Sequence, residues 1–358
     1  MSTLSPARPA AGQKAERTQV SGGSWRRLHS IDVVRGLAVV GMLFVDNRGS
    51  DAITLQLTHT PWNGLRVADV VFPVFLLVVG VTMPFSRRAD RPRAVAWRVV
   101  KLALLGWLIV TAKYGWGQSG AGVLGHIAGA YLLCWLLLRL PRRAQIPTAA
   151  GVLVALSLLY LTVPVPGAGQ PELTADTSWA VWFDGLLGQG FGAEAPHAYL
   201  PSAITVFLGV LAGRVLRSDP GRRAVAQLAF GGAGLVVVGA ALAPVVPLNK
   251  PLWTPSYVLL TGGIGLLLLA GTHLLVDVRG LRRPLRPAEI LGVNAIVAFV
   301  VSELLFRAVL GHVQPSLVDW LARFTTEDGA AYVYPALSVA VIWAVCAALV
   351  RRGIVVRI

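Results

Sequence analysis

A short polar segment with one histidine stands between two long apolar runs near the start of the chain. It reads QLTHTPWNG, from Gln56 to Gly64, and it contains His59 but no Lys or Arg. Imidazole titrates near neutral pH, so it can act as a base or as an acyl acceptor. Asn47 precedes this segment and Asp69 follows it. An amide can stabilise a developing oxyanion and a carboxylate can orient an imidazole, so His59, Asn47 and Asp69 form the candidate catalytic group.

Structural roles for the same residues remain open at this point. A lone histidine in a loop is often structural or incidental. A carboxylate such as Asp69 at the start of a helix also stabilises the positive helix end, and it needs no further function.

The composition predicts the elements that must position this group. Hydrophobic residues make up 55% of the 358 residues and charged residues 14%, against about 25% charged in a soluble domain. Ten apolar runs approach the roughly 20 residues needed to cross a bilayer. They cover 31–47, 66–86, 94–113, 120–140, 145–163, 198–217, 224–246, 252–276, 288–311 and 332–350. The sequence therefore predicts an all-α, polytopic membrane domain over residues 26–358, preceded by a disordered basic arm over residues 1–25.

The distribution of positive charge predicts the orientation of this domain. The net charge is +15, but 26 of the 32 Lys and Arg residues lie in alternate segments and helix ends, whereas the loop 164–197 contains none. This is the positive-inside pattern, and it places both termini in the cytoplasm. The basic loops suit the anionic headgroups of a lipid bilayer, and nucleic acid is excluded as a partner.

Charged and amide side chains inside the apolar runs are informative because each is costly to insert. Asp32 and Arg35 are three residues apart and can form an ion pair, and Glu303 and Arg307 are spaced to do the same. Arg98 and Lys101 share one face of the third run, where snorkelling is the simple explanation. Hydrogen bonding between helices is the simple explanation for Asn294, in the ninth run.

The outward segments add aromatic and polar groups around His59. Apolar residues in DTSWAVWFDGLLGQG recur with helical spacing, which predicts an interfacial helix or an aromatic rim beside a saccharide site. The candidate substrate-binding residues are Trp62 and, in PLNKPLWTPSY, Asn249, Lys250 and Trp253. The six histidines are scattered without the paired spacing of a zinc site, so no metal is expected.

Several of these blocks together resemble one known family, the heparan-α-glucosaminide N-acetyltransferase family of transmembrane acetyltransferases. The similarity begins in RLHSIDVVRGLAVVGMLFVDN and LTHTPWNGLRVADVVFPVFLLVVGVTMPFS, and it continues in PHAYLPSAITVFLGVLAG, LNKPLWTPSYVLLTGGIG and ILGVNAIVAFVVSELL. It covers roughly residues 27–350. The chain departs from the pattern at 123–128, which read VLGHIA where members often have VLQRIA, so that His126 stands beside the place of an arginine.

The resemblance implies acetyl transfer across a membrane. Acetyl-CoA stays in the cytoplasm, an amino sugar or envelope glycan is modified on the other face, and His59 with Asn47 performs the transfer, with His59 either carrying the acetyl group or acting as a base. A polar conduit between the helices delivers the thioester, and Arg35, Arg98, Lys101 and Asn294 are the candidate residues for binding coenzyme A. Members of the family can form homodimers. The implied location is the plasma membrane, here the inner membrane of a bacterium.

Two other classes of protein compete with this interpretation. A proton-coupled transporter or flippase can use His59 and Asp69 as a gate, although it predicts paired discontinuous helices near the bilayer midplane. A membrane protein without catalysis can use the loop 164–197 to bind a partner. Neither consumes a thioester.

Overall fold

The computed structural model describes residues 27–48, 53–116, 120–171, 173–187 and 194–356. Within these ranges the chain is helical and has no strand; a single isolated bridge joins Asn63 to Asn249. The helices are α1 (His29–Asp46), α2 (Val67–Thr82), α3 (Pro92–Tyr114), α4 (Gly122–Leu137), α5 (Arg142–Thr162), α6 (Trp179–Leu187), α7 (Tyr199–Ser218), α8 (Arg222–Leu242), α9 (Pro255–His273), α10 (Arg286–Val293), α11 (Ala295–Val301), α12 (Gln314–Ala322) and α13 (Glu327–Arg351). The predicted arm over residues 1–25 lies outside the described residues.

Each of the ten predicted runs coincides with helix. Among the described residues, eight helices are long and apolar enough to cross a membrane by length and composition alone. α4 is shorter and α1 carries three charged residues, so neither meets that criterion. The chain is therefore an all-α, multi-pass membrane protein, as predicted. α6 also forms where an amphipathic outward helix was expected.

The ninth run differs from a simple span. Asn294 leaves the helical conformation (φ −116°, ψ 38°) and separates α10 from α11. Its side-chain amide donates to the backbone oxygen of Ile354 at 3.3 Å and accepts from the backbone nitrogen of Val356 at 3.0 Å. An asparagine that pairs with a distant backbone competes with the helix ladder, which explains the break. A second difference is α12, which forms in a stretch with no predicted span.

The loops between helices gather at two ends of the bundle. At one end, the Trp135 indole donates to the backbone oxygen of Ala89 at 2.8 Å, and His273 Nε2 lies 2.9 Å from the backbone oxygen of Pro220. These contacts bring together segments that carry most of the arginines, and we call this end the basic end. At the other end, the backbone nitrogen of Gly64 donates to the backbone oxygen of Leu248 at 2.8 Å. We call that end the His59 end.

Glycines fix the position of α2, the helix that begins beside His59. A Cβ added at Gly80 would collide with the backbone oxygen of Val206 on α7, and one at Gly209 of α7 would collide with the backbone oxygen of Leu77 on α2. The two backbones therefore touch directly, which only glycine permits at these positions. Close backbone contact sets α2 firmly against α7.

Candidate functional site

His59 and Asp69 form a hydrogen-bonded pair at the start of α2. His59 Nδ1 lies 2.8 Å from Asp69 Oδ1. The Asp69 side chain is fully buried, whereas the His59 side chain is 44% exposed. A carboxylate can only accept this bond, so Nδ1 carries the proton and the lone pair of the neutral ring is on Nε2. The arrangement produces an oriented imidazole whose basic nitrogen is Nε2.

Asp69 fills both roles that the sequence left open. Its Oδ2 accepts from the Thr60 hydroxyl at 2.5 Å, from the Thr60 backbone nitrogen at 3.2 Å and from the Arg66 backbone nitrogen at 3.1 Å. The bond to Arg66 is part of a capping box at the N-terminus of α2. The carboxylate thus caps the helix with one oxygen and orients His59 with the other.

The loop that carries His59 is held by a neighbouring arginine. Arg66 Nη1 donates to the Thr58 hydroxyl at 2.6 Å and to the backbone oxygen of His59 at 2.8 Å. The guanidinium spans the loop and ties it to the start of α2. The backbone on either side of the imidazole is therefore restrained.

Lys250 lies against the imidazole from another loop. Its Nζ is 3.1 Å from His59 Nδ1, 3.4 Å from His59 Nε2 and 3.8 Å from Asp69 Oδ1. The lysine side chain is only 12% exposed. Burial lowers the pKa of the Lys250 ammonium from its ordinary value, and neighbouring carboxylates oppose part of this shift.

A small cavity of about 60 Å³ adjoins these groups. Ligand pockets usually measure about 300–1,000 Å³, so this cavity has room for a reacting group rather than for a whole sugar. The residues that line it come from α1, α2, α4 and three loops: Met42, Val45, Asp46, His59, Ala68, Val71, Phe72, Val123, Glu194 and Lys250.

Asp46, and not its neighbour Asn47, lines this cavity from α1. The Asn47 amide is buried and donates to the Ser302 hydroxyl at 2.9 Å, so it joins two helices. Asp46 Oδ1 lies 3.7 Å from Arg307 Nη1. Arg307 in turn donates to Glu303 at 3.0 Å, which is the ion pair that the sequence predicted. The candidate pair of His59 and Asn47 is thus not brought together at the cavity, and the acidic residue beside Asn47 occupies that place.

Glu194 is the second carboxylate of the cavity, and sequence reasoning missed both. It was notable only as one acid in a loop without positive charge. Burial raises the pKa of the Glu194 carboxyl above its ordinary value, and the positive charge of Lys250 opposes this. The sequence contained one signal for each residue. Asp46 is an acidic residue at the end of an apolar run, and Glu194 lies in a loop that has no Lys or Arg.

Three of the four predicted substrate residues support loops instead of lining the cavity. The Asn249 amide donates to Asn63 Oδ1 at 3.0 Å, and its oxygen accepts from the backbone nitrogen of Leu252 at 2.8 Å. The Trp62 indole donates to the backbone oxygen of Leu173 at 2.5 Å. Trp253 is fully buried and donates to the Thr205 hydroxyl at 3.2 Å. Lys250 alone of the four faces the cavity.

The predicted donor-binding residues lie toward the basic end and do not form one cluster. Arg35 is bonded to Asp32 at 3.0 Å, as predicted, and to the backbone oxygen of Gly292 at 3.1 Å. Arg98 stacks over the Tyr131 ring at 4.6 Å and interacts electrostatically with Arg35. Lys101 is exposed, and the amide of Asn294 is occupied by the C-terminal segment.

Along α2 the predicted conduit is interrupted by packed side chains. A second cavity of about 440 Å³ lies at the basic end, where Met83 is one of its lining residues. Phe72 lines the cavity at the His59 end. Ten residues of α2 lie between Phe72 and Met83, which are therefore about 16 Å apart along the helix axis. Leu76, Leu77 and Val78 between them are fully buried, so packed side chains divide the two cavities.

His126 lies within this packed section. Its Nε2 is 2.6 Å from the Ser202 hydroxyl, and its ring contacts those of Phe72, Tyr199 and Trp253. The chain therefore places a buried imidazole and an aromatic cluster beside the position where the resemblance led us to expect an arginine. This cluster forms the floor beneath the cavity of His59.

Comparison with known proteins points to one family. A family model described as the catalytic part of heparan-alpha-glucosaminide N-acetyltransferase matches residues 27–241. Human heparan-alpha-glucosaminide N-acetyltransferase is 27% identical over 364 aligned residues, which cover 78% of this chain and 54% of the human protein. The mouse protein of the same name is 26% identical over 362 residues, with 79% and 54% covered.

The chain thus spans about half the length of the curated relatives it matches. The matched segment contains α1 through most of α8 and includes His59 and Asp69. It covers well over half of the chain. The sequence resemblance is confirmed, and the chain belongs to the heparan-alpha-glucosaminide N-acetyltransferase catalytic family.

Proposed function

We propose that this protein is a transmembrane acetyltransferase. It transfers an acetyl group from cytoplasmic acetyl-CoA to an amino group of a sugar or glycan at the opposite membrane face. The observation that carries the proposal is the His59–Asp69 pair, because it presents an oriented, basic Nε2 beside a small cavity. The positive-inside charge pattern supports placing the basic end in the cytoplasm, as expected of an inner-membrane protein of a bacterium.

The chemistry follows from the lone pair on His59 Nε2. In a two-step route, Nε2 forms a bond to the acetyl carbon, the carbon–sulfur bond breaks, and its electron pair leaves with the coenzyme A sulfur. The acceptor nitrogen then bonds to the acetyl carbon, and the imidazole recovers its electron pair and takes the proton of the amine. In a one-step route, Nε2 removes the amine proton while the amine attacks the thioester directly. Asp69 stabilises the positive imidazole in either route.

The charges of the cavity support an amine as the acceptor. Asp46 and Glu194 are two carboxylates in a space of about 60 Å³, and they face Lys250 and His59. A protonated amino group is attracted to such carboxylates, which concentrate the acceptor beside the imidazole; it becomes a nucleophile once it has given its extra proton to one of them. The sugar ring stays at the mouth of the cavity, because only the reacting group fits inside.

The donor reaches the imidazole from the basic end. Arg35 and Arg98 are near enough to interact with each other and supply positive charge for phosphate groups. The packed section of α2 lies in the way, so transfer requires these helices to separate when the donor binds. A transporter would need a comparable opening, and only consumption of the thioester distinguishes the two functions.

The direct test uses purified full-length protein in nanodiscs with acetyl-CoA labelled in the acetyl group and a panel of amino sugars. We expect labelled product from the wild type and background transfer from His59→Ala. Equal, background transfer from both proteins, with both folded, would rule out the enzyme. Incubation without acceptor separates the routes, because label retained on the wild type and lost in His59→Ala identifies an acetyl-histidine.

A matched control distinguishes a loss of catalysis from a loss of folding. His312 lies in the short 3₁₀ turn before α12 and does not line the cavity. His312→Ala is expected to transfer acetyl groups at the wild-type rate. Gel filtration and thermal unfolding of all three proteins show that each is folded.

A further inference from the structure

The larger cavity lies at the basic end, between the end of α2, the start of α5 and the end of α7. Its volume is about 440 Å³, which falls within the range of small-molecule pockets. Its polar lining contains three arginines, Arg142, Arg214 and Arg217, together with the carboxylate of Asp90. None of its lining residues belongs to α1 or α3, the helices that carry Arg35 and Arg98. The mechanism proposed above does not use this cavity.

A buried glutamine fixes the direction of the central arginine. Arg214 Nη2 donates to Gln145 Oε1 at 2.8 Å. The Gln145 side chain is buried, and its amide nitrogen donates to the backbone oxygens of Leu138 at 3.2 Å and Leu140 at 2.9 Å. All the polar atoms of this glutamine side chain are thus used to hold one guanidinium in place. An arginine that only sets the orientation of the protein in the membrane would not need such support.

Like charges are held together at this site. Arg142 and Arg214 are near enough to interact electrostatically. Within the described ranges, neither forms an ion pair with a carboxylate within 4.0 Å. Arg217 joins them, with Nη1 donating to the backbone oxygen of Pro84 at 2.6 Å. Arg142 and Arg214, against the one aspartate of the lining, Asp90, give an excess of positive charge that a bound anion would neutralise.

Other features of the lining also favour an anion. Arg142 is the first residue of α5, so the positive end of that helix lies at the edge of the cavity. The hydroxyl of Ser86 adds a polar group to the lining, whereas that of Ser218 donates to the backbone oxygen of Val215 at 2.9 Å. Guanidinium groups bind phosphate oxygens in pairs of hydrogen bonds, which distinguishes phosphate from a simple point charge.

We infer that this cavity is a binding site for a phosphate-bearing anion, held by Arg142, Arg214 and Arg217. Two sources present that chemistry at a membrane surface: the phosphates of a nucleotide such as coenzyme A, and the headgroup of an anionic lipid. The inference does not rest on acetyl transfer, because the site would bind its anion even if no transfer took place.

The test measures binding of defined probes to the full-length protein in neutral phosphatidylcholine nanodiscs. The probes are adenosine 3′,5′-bisphosphate for the nucleotide source, and phosphatidylglycerol followed by native mass spectrometry for the lipid source. We expect one probe to bind the wild type and its affinity to fall on the order of tenfold or more in Arg214→Gln/Arg217→Gln. Whichever probe shows this loss identifies the source.

Arg143→Gln is the matched control. Arg143 is the exposed neighbour of Arg142 and does not line the cavity, so the variant should bind the probe like the wild type. Binding of neither probe, or an equal loss in the control and the double variant, would overturn the inference. An arginine-selective reagent adds a measurement on the unaltered protein: the bound probe should protect Arg142 and Arg214, and unchanged modification at both would contradict the site.

Discussion

The hydroxyl of Tyr257 donates a hydrogen bond of 2.6 Å to the backbone oxygen of Asp69. That oxygen needs a partner because Pro73, four residues further along α2, has no backbone N–H to donate. Tyr257 belongs to α9 and is fully buried. One hydroxyl therefore compensates for the proline and fixes the residue that orients His59.

Removing this hydroxyl should damage both stability and catalysis. Tyr257→Phe leaves a buried carbonyl without a partner, which costs about 1–3 kcal/mol of unfolding free energy. We also expect a lower rate of acetyl transfer, since Asp69 becomes less restrained. Tyr160→Phe is the control, because it removes another buried hydroxyl, which donates to the backbone oxygen of Leu252 at 3.2 Å. An equal loss of activity in both variants would contradict a specific link between Tyr257 and Asp69.

For the rate of transfer, the negative charge of Asp69 should matter more than the size of its side chain. Asp69→Asn retains the shape of the side chain but removes the negative charge that stabilises a positive imidazole. We expect the rate constant for transfer to fall on the order of 100-fold or more, with little change in the KM for acetyl-CoA. Steady-state kinetics measure this. A variant that keeps its full rate would show that Asp69 serves only as the cap of α2.

Asp46 and Asn47 should respond differently to substitution. Asp46→Asn removes a charge from the cavity, so the KM for an amine acceptor should rise on the order of tenfold while acetyl-CoA is used as before. Asn47→Ala removes the bond to Ser302 and should lower the thermal stability without that change in KM. The opposite pattern, with the KM effect confined to Asn47→Ala, would restore the assignment predicted from the sequence.

The buried ammonium of Lys250 should make the free energy of unfolding depend on pH. Burial lowers the pKa of its ammonium below the ordinary value of 10.5. Between the lowered value and 10.5, the unfolded chain binds more protons at this position than the folded chain does. The free energy of unfolding therefore gains a contribution that rises with pH in this window, by up to about 1.4 kcal/mol per pH unit for one proton.

Thermal unfolding in detergent at a series of alkaline pH values tests this sign. Lys250→Met should lose the rising contribution, which appears as a difference in slope from the wild type. Lys101→Met is the control because Lys101 is exposed on α3. Parallel slopes for the wild type and Lys250→Met would show that this lysine is not titrating as burial requires.

The contact between α2 and α7 should tolerate no added methyl group. Gly80→Ala places a Cβ against the backbone of α7 and should cost about 1–3 kcal/mol through overpacking. Gly151→Ala on α5 meets no atom within 4 Å and should be neutral or slightly stabilising. Unfolding temperatures of the two variants measure the difference. Equal values would mean that α7 moves away from α2 at little cost.

The sequence alone determined the helical membrane fold, because long apolar runs have few other stable structures in lipid. It also predicted His59 and Asp69 as candidate site residues, because polar residues between two apolar runs stand out in the chain. Their contact forms locally, at the N-terminus of α2, and the spacing of Asp69 and Pro73 is visible in the chain.

Tertiary structure decided which distant residues join them. Successive side chains on a helix point about 100° apart. Asp46 therefore lines the cavity while Asn47 contacts Ser302. Only the packing of the bundle shows which of these two residues faces His59. Lys250 and Glu194 approach from loops more than a hundred residues away, and Arg214 gains its direction from Gln145 on another helix. Such contacts depend on which helices pack against each other. Apolar runs of similar composition do not determine that pairing.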